Sequence, residues 1–87
     1  MLTGTTSTGF NYKMEADALD DYELLELLCE ADKGNAGAIL EAMERLLGKE
    51  QKEALKKHVR NEKGKVSAKR MMEEMQEILK SQGEGKN

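Results

Sequence analysis

The chain has 87 residues, enough for one small domain but not for one that encloses a deep active-site cavity, because domains of this size bury only about 60 to 65% of their unfolded surface. Hydrophobic residues make up 38% and charged residues 36% of the sequence, with no proline, and this composition favours helices over strands and long loops. The formal net charge is -3 and there is one cysteine, which excludes an intrachain disulfide and differs from the strongly basic balance of typical nucleic-acid-binding domains.

The N-terminal segment has neither the basic nor the apolar region of a signal peptide. Residues 1–9 contain mainly Thr, Ser and Gly, and residues 10–14 alternate apolar and polar side chains, which is the period of a half-buried strand. A single strand of this length has no obvious pairing partner, so we interpret residues 1–16 as a flexible or extended arm, with an edge strand at residues 10–14 as the alternative. No apolar run approaches the roughly 20 residues that cross a bilayer, so we expect no membrane contact and a cytoplasmic location.

The first helix is predicted over residues 21–32. Asp20 or Asp21 can cap its first turn through a carboxylate, and Gly34 marks its end. The polar positions inside it are Glu23, Glu26 and Glu30. This polar stripe is too narrow for a surface helix, so we predict that the first helix forms the centre of the core.

Three more helices are predicted, over residues 36–47, 50–60 and 68–80. Asn35 can cap the second helix and Ser67 the fourth. The second repeats apolar residues at three- and four-residue spacing, whereas the third is less apolar and should lie on the surface. We therefore predict an all-α fold, a compact bundle of about four short helices.

The helical domain is expected over residues 17–80, between the N-terminal arm and a C-terminal tail. Residues 81–87 (SQGEGKN) are polar and contain two glycines, and we expect them to be disordered. The sequence thus predicts one folded unit with a flexible segment on each side.

Residues that could carry catalysis or bind a metal are few. His58 is the sole histidine and has no sequence-adjacent partner, so we interpret it as a half-buried helix residue. Cys29 lies on the apolar face of the first helix, where a free cysteine acts as a small hydrophobic residue. No glycine-rich phosphate loop is present. We predict no catalytic, metal or cofactor site, and a protein that is not an enzyme.

Charge is distributed unevenly along the chain. Residues 1–44 carry two Lys against ten Asp and Glu, and residues 45–87 carry twelve Lys and Arg against seven Glu, which gives -8 and +5. With this charge distribution, the acidic half could pack against the basic half, or copies could stack head to tail into a homo-oligomer. The basic half could also bind an acidic partner. A basic patch is formed by Lys56, Lys57, Arg60, Lys63, Lys65, Lys69 and Arg70. We interpret it as a solvated face around a turn, with nucleic-acid contact as the alternative.

The last predicted helix carries a cluster of flexible apolar side chains. They are Met71, Met72, Met75, Ile78 and Leu79. Methionine surfaces of this type bind varied helical partners, so the cluster is our candidate for partner binding. Ordinary core packing is the alternative, and both can hold at once, because Met71 and Met72 point about 100° apart on a helix.

Four short motifs follow one another along the chain. They are the acidic-aromatic start of a leucine-rich helix at Asp20, Asp21 and Tyr22, a hinge at Gly34 and Asn35, a Leu-Leu-Gly step at 46–48, and an Asn-Glu-Lys-Gly turn at 61–64. In the order and spacing of these motifs, residues 17–80 resemble the small tail assembly chaperones of long-tailed bacteriophages and prophages of Gram-positive bacteria. None of the motifs is a catalytic signature.

The resemblance implies a chaperone that works without ATP. Such a protein coats the hydrophobic tape measure protein, keeps it soluble, helps to recruit tail tube protein, and leaves before the tail is finished. It implies a location in the cytoplasm of the bacterial host and absence from the mature virion. The family often makes a longer frameshifted form of the same chain, and the Gly-Lys-Asn sequence at 85–87 is where we expect ribosomal slippage.

Two other functions remain open from the sequence. The first is a small helical DNA-binding regulator that uses residues 56–70 in a pair of helices resembling a helix-turn-helix. The connection at 61–66 is longer than the three to four residues usual in that motif. The second is a structural subunit that stays in the assembled phage particle.

Overall fold

The computed structural model describes residues 1–84, and within them the chain forms a two-stranded antiparallel sheet and three helices. In chain order the elements are β1 (Leu2–Thr5), β2 (Asn11–Met14), α1 (Tyr22–Asp32), α2 (Ala36–Val59) and α3 (Ala68–Glu84). The fold is mostly helical, as predicted, but the sheet means that it is not all-α. Within the described residues, none of the helices combines the length and the apolar character needed to cross a membrane.

The N-terminal segment forms a hairpin instead of an unpaired arm, and β2 agrees with the edge strand that was the alternative. In its register, Leu2 faces Met14 and Gly4 faces Tyr12 across the two strands. The alternation predicted over residues 10–14 is present, because Phe10, Tyr12 and Met14 are buried and the residues between them are exposed. The pairing strand was missed because β1 consists mainly of Thr and Gly and carries little apolar pattern.

Helix α1 begins where the sequence predicts. The Asp21 carboxylate accepts hydrogen bonds from the backbone N–H groups of Glu23 and Leu24, which is the geometry of an N-cap. The prediction that this helix is the centre of the core is wrong, since Leu24 is its one fully buried residue while Tyr22 is 73% and Leu25 54% exposed. Only one side of α1 packs against α2, and no other described element covers the opposite side.

Helix α2 replaces two predicted helices. Gly48 has φ 82° and ψ 161°, a backbone conformation open essentially to glycine, and the chain is helical on both sides of it. The predicted break between residues 36–47 and 50–60 is present at Gly48, but no loop separates the two segments, so they form one kinked helix and the described chain has three helices, not four. A single residue changes the direction of the helix, so no connecting loop is needed.

Helix α3 begins at the predicted place and extends further. Ser67 Oγ accepts a hydrogen bond of 3.2 Å from the backbone N–H of Arg70, as an N-cap does. The helix continues to Glu84, so the first four residues of the predicted disordered tail are helical. Residues 85–87, including the proposed slippage site, lie outside the described residues.

The core lies where the hairpin, α2 and α3 meet. Its buried side chains are those of Phe10, Tyr12, Met14, Leu24, Ala42, Met43, Leu46, Leu47, Leu55, Met75 and Ile78. Leu55, Met75 and Ile78 are the largest completely buried side chains among the described residues. Leu55 belongs to the segment that we expected on the surface, so the second half of α2 contributes to the core as well as to the exterior.

Candidate functional site

An apolar groove opens between the first half of α2 and the start of α3, and the end of α1 closes one side of it. Its volume is about 630 Å³. The α2–α3 groove, as we call it, is lined chiefly by Ile39, Leu40, Met43, Val66, Met71 and Met72. Concave, mostly apolar surfaces of this kind are the usual sites at which proteins bind ligands.

Local sequence explains why these side chains converge. Ile39, Leu40 and Met43 lie within one turn of α2, so their side chains fan out over one side of the helix. Met43 is 3% exposed and forms the floor, whereas Leu40 is 67% exposed and stands at the edge. Sequence reasoning missed Leu40 as a site residue, because its helical spacing is the same as that of core residues.

The predicted partner-binding cluster on α3 divides between core and groove. Met75 and Ile78 are buried in the core at 1% and 0% exposure, so a partner cannot reach them without unfolding. Leu79 is half-buried and packs against the same core. Met71 and Met72 are half-buried and line the groove. The structure thus keeps two members of the predicted cluster at an accessible surface.

Two lysines of α2 lie at the rim of the groove, and each has an acidic partner within the chain. Lys52 Nζ lies 2.7 Å from Glu44 Oε1, and Lys56 Nζ lies 3.2 Å from Glu53 Oε2. The hydrogen bond with Glu44 raises the pKa of Lys52, and the same bond lowers the pKa of the Glu44 carboxyl. The rim therefore carries two lysine–glutamate ion pairs next to an apolar floor.

The other members of the predicted basic patch are exposed and spread over the end of α2, the following turn and the start of α3. Arg60 Nη1 donates a hydrogen bond to the backbone carbonyl of Gly64, and the side chain of Asn61 accepts from the backbone N–H groups of Lys63 and Lys65. These bonds define the predicted turn. They also commit Arg60 to an intramolecular contact, which reduces its availability to phosphate.

A polar cluster that the sequence did not reveal holds the hairpin turn against the helices. Thr8 Oγ1 donates a 2.6 Å hydrogen bond to Glu74 Oε2, and it lies 3.1 Å from both Thr6 Oγ1 and His58 Nε2. Because the single hydroxyl proton of Thr8 is given to Glu74, Thr6 and the His58 ring must donate to the Thr8 oxygen. A histidine that donates to a hydroxyl is not its general base, so the cluster has a structural role.

Two further contacts complete this attachment. The backbone N–H and the hydroxyl of Ser7 both donate to the carboxylate of Glu77 on α3, at 2.5 and 3.0 Å. The His58 ring lies 5.6 Å from the ring of Phe10 and is exposed, not half-buried as expected. No sequence signal pointed to these partners, because they lie 50 to 70 positions away from the turn.

Cys29 is exposed on the outer side of α1, not buried as we expected. It shares that side with Tyr22 and Leu25, so α1 presents an apolar stripe outward. Among residues 1–84, no group of three or more His, Cys, Asp or Glu side chains is placed to hold a metal ion.

Comparison with known proteins gives no assignment. No protein-family model, no curated protein and no solved structure matches the chain. The features of the chain that bear on its function are the groove, the ion pairs at its rim and the motif pattern of the sequence.

Proposed function

We propose that the chain is a tail assembly chaperone of a long-tailed bacteriophage, and that its α2–α3 groove binds amphipathic helical segments of the tape measure protein. The observation that carries the proposal is the groove itself, in which exposed Leu40 and half-buried Met71 and Met72 surround the buried floor at Met43. The resemblance in motif order along residues 17–80 is the basis for proposing the tape measure protein as the partner.

The groove has the chemistry that a helical ligand requires. An amphipathic helix binds a groove through apolar side chains at three- and four-residue spacing. Methionine has three rotatable side-chain bonds and a polarizable sulfur, so Met71 and Met72 can adjust to different apolar side chains along a long partner. Lys52 and Lys56 at the rim, each paired with a glutamate, offer polar contacts to the polar face of such a helix.

Weak contacts repeated many times suit this task. A tape measure protein offers many successive helical segments, and many chaperone copies can cover them even when each contact is weak. Weak individual contacts also allow the copies to leave when tail tube protein assembles around the tape measure. On this proposal the protein acts in the cytoplasm of the bacterial host, is absent from the mature virion, and needs no cofactor.

Co-expression with the tape measure protein of the same phage tests the proposal. The full chain should move the tape measure protein into the soluble fraction, and Leu40→Asp or Met72→Asp should remove most of that effect because each places a charge in the groove. Leu25→Asp is the matched control, since Leu25 is an exposed leucine on α1 outside the groove. Circular dichroism establishes that each variant is folded.

The result opposes the proposal if the groove variants keep the tape measure protein soluble as well as the parent chain does. Equal loss of solubility with Leu25→Asp would also oppose it, since the groove would then have no special role. Binding to duplex DNA that weakens steeply with salt would assign the function to the basic patch instead. Detection of the chain in purified particles by mass spectrometry would identify a structural subunit.

A further inference from the structure

The two outer edges of the hairpin differ in how their backbone groups are satisfied. On β2, the backbone N–H of Lys13 donates to Gln51 Oε1 at 2.7 Å, and Gln51 Nε2 donates back to the Lys13 carbonyl at 2.5 Å. The side-chain amide of Gln51 therefore bonds this edge as a neighbouring strand would. At Lys13 the outer edge of β2 is therefore already bonded, and a further strand cannot pair at this residue.

The outer edge of β1 has no such cover. Lys13 faces Thr3, and its backbone groups point away from β1, so in this alternating ladder those of Thr3 point away from β2. The same holds for Thr5, two positions further along the strand. Within residues 1–84, no hydrogen bond to these outward N–H and C=O groups is present.

Apart from the short length of β1, this open edge lacks the usual protection against pairing. Natural edge strands are guarded by lysine, proline, a bulge or a covering element. The sequence of β1, LTGT, has none of these residues, and no charged side chain occurs before Lys13. A second neutral strand can therefore approach β1 without bringing like charges together.

We propose that β1 pairs with β1 of a second copy of the chain, antiparallel about a two-fold axis at Gly4, to form a continuous four-stranded sheet. In this register Thr3 of each copy lies opposite Thr5 of the other, so the outward N–H and C=O groups of both residues make four backbone hydrogen bonds across the axis. Both threonines are exposed, and they form the cross-strand Thr–Thr pairs that stabilise sheets.

Gly4 suits the position on the axis. Gly4 of one copy faces Gly4 of the other as a non-hydrogen-bonded pair. In such pairs the Cα atoms of opposite strands approach to about 4.5 Å and side chains crowd most. Glycine brings no side chain to this point. Within one copy, a Cβ atom at Gly4 would lie 2.4 Å from the hydroxyl of Tyr12, so the glycine is required there as well and is not a suitable site for a test substitution.

The same geometry explains why the occupant is a second copy and why the assembly stops at two. A two-fold interface needs one self-complementary strip, and residues 3 to 5 of β1 supply it. The four-stranded sheet would end on both sides at β2, where Gln51 already bonds the outward backbone groups of Lys13. The interface shares no residue with the α2–α3 groove, so this inference does not depend on the proposed function.

Sedimentation of the full chain over a range of concentrations tests the dimer. The parent should show a reversible equilibrium between a species of 9.7 kDa and one of twice that mass. Thr3→Pro or Thr5→Pro should raise the dimer Kd about tenfold or more, because each removes an outward N–H and so two of the four hydrogen bonds. Thr3→Val and Thr5→Val keep the N–H and should dimerise like the parent.

Hydrogen exchange on the parent chain gives a second test that needs no variant. The amide protons of Thr3 and Thr5 should become protected as the concentration rises, while those of exposed loops do not change. A parent that stays at 9.7 kDa throughout, or proline variants that dimerise as strongly as the parent, would overturn the proposal. Exchange at Thr3 and Thr5 that does not depend on concentration would do the same.

Discussion

Thr8 Oγ1 donates a hydrogen bond of 2.6 Å to Glu74 Oε2, and these two residues lie 66 positions apart in the sequence. Glu74 is buried, with 4% of its surface exposed. Within the described residues, its second carboxylate oxygen has no hydrogen-bond partner. A buried carboxylate is stabilised by the donors that reach it. The Thr8 hydroxyl is therefore central to attaching the hairpin turn to α3.

Thr8→Val should destabilise the fold by about 2 to 3 kcal/mol, because it removes a hydrogen bond to a buried charged group while keeping the size of the side chain. Urea unfolding followed by circular dichroism measures this change. Thr3→Val is the matched control, since Thr3 is exposed on the same hairpin, and it should change stability by no more than about 0.5 kcal/mol. Equal unfolding midpoints for the two variants would contradict a structural role for the bond.

Alanine substitutions of two glycines in α2 should differ in their effect on stability. Gly48→Ala should cost about 1 to 3 kcal/mol, because φ 82° and ψ 161° are strained for any residue with a Cβ atom. Gly37→Ala should be neutral or stabilise by up to about 1 kcal/mol, because Gly37 lies in regular helix and an added Cβ meets only Asn35 Oδ1 at 3.4 Å. Thermal unfolding of both variants measures these changes in stability. Stabilisation by Gly48→Ala would mean that the kink is not needed.

Leu55→Ala should lower the free energy of unfolding by about 2 to 5 kcal/mol, since the side chain is completely buried and its removal leaves a cavity. Leu25→Ala is a matched leucine substitution in a helix, but Leu25 is 54% exposed, so the loss should be much smaller. Denaturant unfolding of both proteins gives the comparison. Similar losses at the two positions would show that the outer side of α1 is covered in solution.

Asp21 should titrate below the ordinary pKa of 3.8. The hydrogen bond from Arg45, with Nε at 2.6 Å, lowers this pKa more than desolvation raises it, and the backbone N–H groups of Leu24 and Glu23 lower it further. Because the folded pKa lies below the unfolded one, the stabilisation is present above about pH 3.8 and is lost as the pH falls through the folded pKa.

Carboxyl chemical shifts from NMR measure this titration directly. Arg45→Gln should move the pKa of Asp21 upward toward 3.8, whereas Lys52→Gln, which removes a positive charge paired with Glu44, should leave it unchanged. An unchanged Asp21 pKa in Arg45→Gln would show that the ion pair does not form in solution.

Helix starts were predictable because their signals are local. Asp21 and Ser67 accept hydrogen bonds from backbone groups two or three positions ahead, and Gly34 ends α1 with φ 104°. Each of these interactions is complete within a few residues. The turn at Asn61 was predictable for the same reason.

The groove could be predicted only in part. Met71 and Met72 were named from the sequence, but so were Met75 and Ile78, which share their helical spacing and lie in the core. Spacing alone does not reveal which apolar face a neighbouring element covers. Leu40 was not distinguished from core residues, and only the packing of α1 and α3 leaves it 67% exposed.

By itself the sequence determined a charge-rich chain with helices that are capped by Asp21 and Ser67. The tertiary structure decided that the Thr- and Gly-rich N-terminus pairs into a hairpin, that α1 lies outward, and that β1 keeps an open edge. The physical reason is the separation along the sequence between the residues that interact. Caps and turns are satisfied by near neighbours, whereas the hairpin depends on burying Tyr12 and Met14 and on the Thr8–Glu74 hydrogen bond, which exist only after distant segments have packed.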